Sequence, residues 1–279
     1  LAGRNQTNMD AIREAGGIAP LVELLRAGGE SDAAAKAAGA LQNLAASNQS
    51  NKDAIREAGG IAPLMELLRA GGGSQAADNA AGALRNLAGR NQTNMDAIRE
   101  AGGITPLVEL LRAGGGSGAA TKAAGALWNL ADNNPTNKDA IREAGGIAPL
   151  VELLRAGSGS EAATQAAAAL WILAVNNQTN KDAIREAGGI APLVELLRAG
   201  GGSKAATYAA GALCILASDN PAGAAAVLAA VAADGAPSLE PFSRQPFSRL
   251  LTDLQRCAER LLVSAEAGDD AGKLSSAIE

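Results

Sequence analysis

Asn43, Asn86 and Asn129 recur at a spacing of 43 residues. A side-chain amide offers a donor and an acceptor together. A row of amides can therefore hold successive stretches of an extended chain, one peptide unit each, without reading its side chains. Trp128 and Trp171, the two tryptophans of the chain, stand one such period apart. Exposed tryptophan pairs are common binding hot spots, and covering a gap between neighbouring elements is the other use of such a pair. Covalent chemistry finds little to work with. There is no histidine in 279 residues, which removes Ser-His-Asp and Cys-His sites and every His-ligated metal. Cys214 and Cys257 are the two cysteines, too few for a four-cysteine metal site or a disulfide framework. No glycine loop in a strand-to-helix context and no carboxylate cluster is visible. The chain is read as non-catalytic, with no cofactor and no metal.

The elements that carry these residues follow from the repeat. Pro20, Pro63, Pro106, Pro149 and Pro192 keep the 43-residue spacing, and so do Ser31, Ser74, Ser117, Ser160 and Ser203. Five full units run 8–50, 51–93, 94–136, 137–179 and 180–222. In the third unit a short first helix is expected over NMDAIREA, capped by Asn94 or Thr93 and ended by Gly102-Gly103. The second helix, TPLVELLRA, carries Pro106 in its first turn, where no N–H is needed. Ser117 then caps the longest helix, GAATKAAGALWNLA. The chain is 47% hydrophobic but 2% aromatic, so the core must be aliphatic. One unit cannot bury its apolar face alone, whereas stacked units can.

The string N-x-D-A-I-R-E-A-G-G-I-x-P-L-V-E-L-L, followed by A-A-G-A-L-x-N-L-A, resembles the armadillo repeat over roughly residues 1–222. The resemblance implies an all-α fold: a right-handed α-solenoid of three-helix repeats. It also implies that the exposed arc of each third helix lines a concave groove that binds extended peptides. In the third unit that arc holds residues 118, 121, 122, 125, 129 and 132, with 128 on its flank. Asn43, Asn86 and Asn129 match the family's groove asparagine, and the column continues as Ile172 and Ile215. A ligand ladder and a cap or bridge at the end of the third helix are both open readings of these amides. The column Gly39, Gly82, Gly125, Ala168 and Gly211 lacks the tryptophan of nuclear import receptors. The A-G-A-L-x-N-L form is more similar to catenin-like and vacuolar-adaptor armadillo proteins. Close approach of a ligand backbone, or inheritance from an ancestral unit, would account for the glycines.

Lys36, Arg85, Lys122 and Tyr208 complete the candidate binding set with Trp128 and Trp171, against Asp78 and Asp132. This surface is neutral to mildly basic, so a neutral or acidic extended segment is the expected partner. Arg13, Glu14, Glu23 and Arg26 repeat so closely from unit to unit that they are read as a solvated face. A formal charge of -5 gives no reason to expect nucleic acid. No stretch is long enough to span a membrane, and the low cysteine count fits a reducing compartment. A cytoplasmic or nuclear monomer is expected.

After Pro221 the pattern decays, with Gly223 where the unit asparagine belongs. Residues 223–267 are read as a degenerate first and second helix followed by an amphipathic capping helix. In that last helix Phe247, Leu250, Leu251, Leu254, Cys257, Ala258, Leu261 and Leu262 share one face. A docking role for this helix is the alternative, and residues 268–279 are expected to be disordered. Residues 1–18 recur unchanged at 87–104, so the sequence starts inside its own pattern and further units are expected before Leu1. The leading functional reading is an adaptor that binds an extended protein segment in its groove. The alternatives are the substrate-binding part of a ubiquitin ligase whose catalytic module lies outside this sequence, and a consensus-like structural array without a dedicated ligand.

Overall fold

The computed structural model describes residues 6–28, 31–69, 73–113, 116–157, 159–199, 203–218 and 221–232. Every regular element among them is an α-helix. The short first helices are α1 (Gln6–Glu14), α4 (Gln49–Glu57), α7 (Gln92–Glu100), α10 (Pro135–Glu143) and α13 (Gln178–Glu186). The second helices are α2 (Ile18–Gly28), α5 (Ile61–Arg69), α8 (Ile104–Ala113), α11 (Ile147–Leu154) and α14 (Ile190–Ala199). The third are α3 (Asp32–Leu44), α6 (Gln75–Ala88), α9 (Gly118–Ala131), α12 (Glu161–Ala174) and α15 (Lys204–Ala217), and α16 (Pro221–Ala232) follows. The three-helix repeat and the all-α class are as expected. Among the described residues no helix is long and apolar enough to cross a membrane.

Local chemistry sets each boundary. The Oγ atoms of Ser74 and Ser117 accept the N–H groups of Ala77 and Ala120, which starts α6 and α9 as the spacing requires. After α4, Gly59 N–H donates to the Arg56 carbonyl at 2.8 Å and Gly60 N–H to the Ile55 carbonyl at 2.9 Å. With Gly59 at φ +73°, this closes the helix as a Schellman motif. Gly60 has another task. A Cβ there would lie 2.9 Å from Ile55 Cγ2 and 3.3 Å from Val22 Cγ2 of the preceding unit. The first glycine of the pair turns the chain, and the second lets two units close up.

The expected cap of the first helix is corrected. Asn91 caps α7, not Asn94 or Thr93: its Oδ1 accepts the Asn94 N–H at 3.0 Å. Asn48, Asn134 and Asn177 cap α4, α10 and α13 in the same way. The residues just before these caps, Ser47, Arg90, Asn133 and Asn176, take left-handed φ values of 55°, 54°, 50° and 55°. Asn94 itself is fully buried. Its Nδ2 donates to the Leu87 carbonyl at 3.2 Å and the Lys52 carbonyl at 3.4 Å, and its Oδ1 accepts from Arg56 Nε at 3.1 Å. Asn51 makes the equivalent bonds to Leu44, Met9 and Arg13 at 3.0, 3.3 and 3.0 Å. The asparagine that marks the period is thus a buried bracket between units.

The charges read as a solvated face also make defined bonds, and Arg13 is half-buried. Arg13 bonds Asn51, and Arg26 Nη2 donates to the Ala58 carbonyl at 3.1 Å, as Arg112 does to Ala144 at 3.0 Å. Asp10, Asp53 and Asp96 accept from the cap amides of Asn48, Asn91 and Asn134 at 2.9, 3.0 and 2.9 Å. Each arginine bond fills a carbonyl or amide that a unit end leaves unpaired. Glu14, Glu23 and Arg26 remain at the surface, as expected.

The helices form two compact units, Leu1–Pro149 and Leu150–Glu279. In the first, α3, α6 and α9 pack along one another, whereas α1, α4 and α7, like α2, α5 and α8, touch their counterparts only lightly. The alanine-rich third helices allow this closeness: Ala77, Ala80, Ala120 and Ala123 are fully buried beside Leu84, Leu87, Leu127 and Leu130. In the second unit α12 packs on α15, and α16 packs on α13, α14 and α15. The expected first helix of the remnant is α16, uninterrupted to Ala232, and the second helix expected after it lies outside the described residues. Arg198 donates to the Ala230 carbonyl at 3.5 Å, so α16 occupies the place of a first helix. The amphipathic stretch from Phe247, Cys257 and the 268–279 tail lie outside the described residues.

Candidate functional site on the third helices

The exposed arcs of α3, α6 and α9 bring Asn43, Asn86 and Asn129 into one row. Asn43 is exposed, while Asn86 and Asn129 are half-buried. Asn86 Nδ2 donates to the Gln42 carbonyl at 2.8 Å, and Asn129 Nδ2 to the Arg85 carbonyl at 2.7 Å. Each of these amides therefore reaches back to the last turn of the preceding third helix. One N–H is used, and no described residue donates to either Oδ1. Bridging and ligand holding are thus compatible: the bridge fixes the amide plane, and the remaining donor and acceptor stay available. Asn43 makes no such bridge among the described residues.

The flanking residues are placed by the same helices. Lys122 forms an ion pair with Asp78 of the preceding unit, both about a quarter exposed (25% and 23%). Lys36 pairs with Asp32 on its own helix at 2.6 Å, and that hydrogen bond holds its ammonium above the ordinary lysine range. Asn79, in the same column, donates to the Ala35 carbonyl at 2.8 Å. Arg85 is half-buried and has no carboxylate within salt-bridge distance among the described residues. Of the cations Lys36, Arg85 and Lys122 on these third helices, it is the one outside an ion pair among the described residues. Trp128 is half-buried on α9.

The glycine column has a cause that neither sequence expectation named. A Cβ at Gly82 would sit 2.5 Å from the Gln42 carboxamide, and one at Gly39 would sit 3.0 Å from Asn79 Nδ2. A Cβ at Gly211 would meet the Trp171 ring at 3.1 Å. The glycines make room for side chains of neighbouring third helices rather than for a ligand backbone. In the second unit Trp171 lies over Gly211 with its ring centroid 5.9 Å from that of Tyr208, tilted by 31°. Trp171 and Tyr208 are therefore brought together, and Trp171 covers the gap to the next helix. Ile172 and Ile215, both half-buried, replace the asparagines here, so no amide row exists in this unit. Gln165 is buried and bonded to Glu161 at 2.6 Å.

Sequence reasoning left a bridge at the end of the third helix open but could not name its acceptors, because they are main-chain atoms, which carry no sequence signal. Among the described residues no group of three or more His, Cys, Asp or Glu side chains is placed to hold a metal ion.

Comparison with known proteins agrees with this architecture. The armadillo/beta-catenin-like repeat family model matches residues 5–46, 48–89, 91–132, 133–175 and 176–218. Curated proteins returned no match. Among solved structures, an engineered protein is similar at 33% identity and a TM-score of 0.80, covering 93% of this chain. This chain spans 61% of the length of that protein. A second engineered protein has 32% identity and a TM-score of 0.75, with 88% of this chain and 96% of that one covered. A designed armadillo repeat protein in complex with the peptide (KR)4 has 27% identity and a TM-score of 0.72, with 88% and 99% covered. With five family repeats over most of its length and a matching fold, the chain belongs to the armadillo repeat family.

Proposed function

We propose that the third-helix face of the first unit binds an extended, neutral or acidic protein segment. Asn43, Asn86 and Asn129 hold the main chain of the ligand. Arg85 meets a carboxylate or carbonyl, Trp128 supplies apolar area, and Lys36 and Lys122 are secondary contacts already engaged by Asp32 and Asp78. The observation that carries the reading is the row of amides oriented by bridges at 2.8 and 2.7 Å, each with an unused acceptor. Preorganisation of this kind lowers the ordering cost of binding. Third helices pack ~8–10 Å apart and an extended chain rises ~3.3 Å per residue, so each step spans two to three ligand residues. In the second unit, Trp171 and Tyr208 form a separate aromatic contact.

A ligand-free structural array is the competing reading, favoured by the fact that the same amides tie units together. The discriminating experiment displays unstructured peptides to the parent and to an Asn43→Ala, Asn86→Ala, Asn129→Ala variant. Enrichment of acidic or neutral extended peptides by the parent alone supports the ladder. Equal enrichment by both, or none by either, removes it. The (KR)4 peptide is the charge control: it should bind weakly here, and tight binding would overturn the assigned ligand charge.

A further inference from the structure

The seam between α3 and α6 is crossed in both directions. One crossing runs backward: Asn86 Nδ2 donates to the Gln42 carbonyl, as Asn129 Nδ2 does to the Arg85 carbonyl at the next seam. The other runs forward, from the side chain of Gln42 itself. Its carboxamide leaves α3 and lies against Gly82 of α6, where a Cβ would be 2.5 Å from Oε1 and Cδ and 2.8 Å from Nε2. In the second unit the Trp171 ring lies against Gly211 of α15 in the same way. The glycine column makes the space, and the column Gln42, Arg85, Trp128, Trp171, Cys214 provides the side chains beside it.

Gln42 stands outside the candidate binding set, yet it is tied to the amide row twice. Its carbonyl anchors Asn86, and its carboxamide rests on Gly82, one turn before Asn86 on α6. Gln42 is half-buried, and no described residue bonds its Oε1 or Nε2. Arg85 holds the same column position one unit on, half-buried and outside any ion pair among the described residues. Trp128 holds it one unit further. Three chemistries thus follow one another beside the amides. A carboxamide presents a donor and an acceptor and matches another neutral polar group. A guanidinium forks onto a carboxylate. An indole offers apolar area.

We propose that Gln42, Arg85 and Trp128 read the ligand's side chains in that order, taking a neutral polar, an acidic and an apolar residue at successive steps. The inference rests on the amide row holding the ligand's main chain. Steps are about two to three ligand residues apart. The bound segment therefore carries an acidic residue with Asn, Gln, Ser or Thr one step to one side and an aliphatic or aromatic residue one step to the other. Gln42 is a specificity-determining residue, and Gly82 is the gap that positions it.

Displayed unstructured peptides are selected by the full chain and by its Gln42→Glu, Gly82→Ala and Asn43→Ala variants. Peptides chosen by the parent should show the polar, acidic, apolar order at this spacing. Gln42→Glu keeps the shape of the side chain but leaves only acceptors. It should exchange the neutral residue for Lys or Arg and leave the acidic position as it was. Between a parent-selected peptide and its lysine-substituted form, the preference should shift by roughly tenfold or more. Gly82→Ala displaces the carboxamide and should erase selection at that one position. Persistence of the neutral residue in Gln42→Glu, or a parent consensus without the order, overturns the inference even where Asn43→Ala weakens binding and the main-chain row stands. Absence of any parent-selected peptide, or equal binding by Asn43→Ala, removes the row and this inference with it.

Discussion

At the residue scale, two asparagines per unit with the same amide do different work, and burial separates them. Asn94 is sealed between two units with three partners, so Asn94→Ala leaves two carbonyls and a guanidinium N–H unpaired in the interior. That variant should lose about 2–3 kcal/mol in denaturant unfolding. Asn86→Ala gives up one half-buried bridge and should lose only about 1 kcal/mol. Equal losses would contradict the division. The sequence showed both asparagine columns with equal clarity, but not which was buried, because that depends on a neighbouring unit. A second contrast concerns Lys138, which stands where Met9 and Met95 stand in other units. Burial lowers its pKa below the ordinary 10.5. Between the folded value and 10.5 the unfolded chain binds the proton that the native chain has released, so stability of the parent rises with pH there. Below that window the native state carries the buried charge at full cost. Lys138→Met should therefore be the more stable protein at neutral pH, with an advantage that shrinks as pH approaches 10.5. An advantage that grows with pH would contradict the sign.

At the element scale, helix boundaries were legible where glycine, proline or serine sets them. The run expected for α9 is the observed Gly118–Ala131 helix. The start of α7 was misplaced because Asn91 and Asn94 are both good caps, and only the left-handed residue before Asn91 decides between them. That residue is Arg90, at φ +54°, where the next units have Asn133 and Asn176. Non-glycine residues other than Asn and Asp are strained there. Arg90→Asn should raise stability by about 0.5–1 kcal/mol, aided by removal of a cation: the pKa of Lys52 is lowered first by burial and then by repulsion from Arg90. A lower melting temperature would mean that Arg90 makes a compensating contact. The glycine column was legible as a pattern but not as a cause, because the filling side chains, Gln42 and Trp171, belong to other helices.

At the scale of the whole molecule, periodicity made the fold readable in advance: one unit parsed correctly is parsed five times. Contacts between copies were harder to read, since sequence spacing does not tell which carbonyl a neighbouring amide will find. The same contacts bear on function. Asn86 and Asn129 each carry a bridge between units, so replacing them mixes stability with binding, whereas Asn43 makes no bridge among the described residues. The most direct measurement is therefore the calorimetric affinity of the parent and of Asn43→Ala for a peptide selected by the parent, with melting temperatures recorded for both. The account predicts an unchanged melting temperature and affinity weaker by roughly tenfold, the equivalent of one or two lost hydrogen bonds. Unchanged affinity would contradict the amide row as the ligand-holding feature.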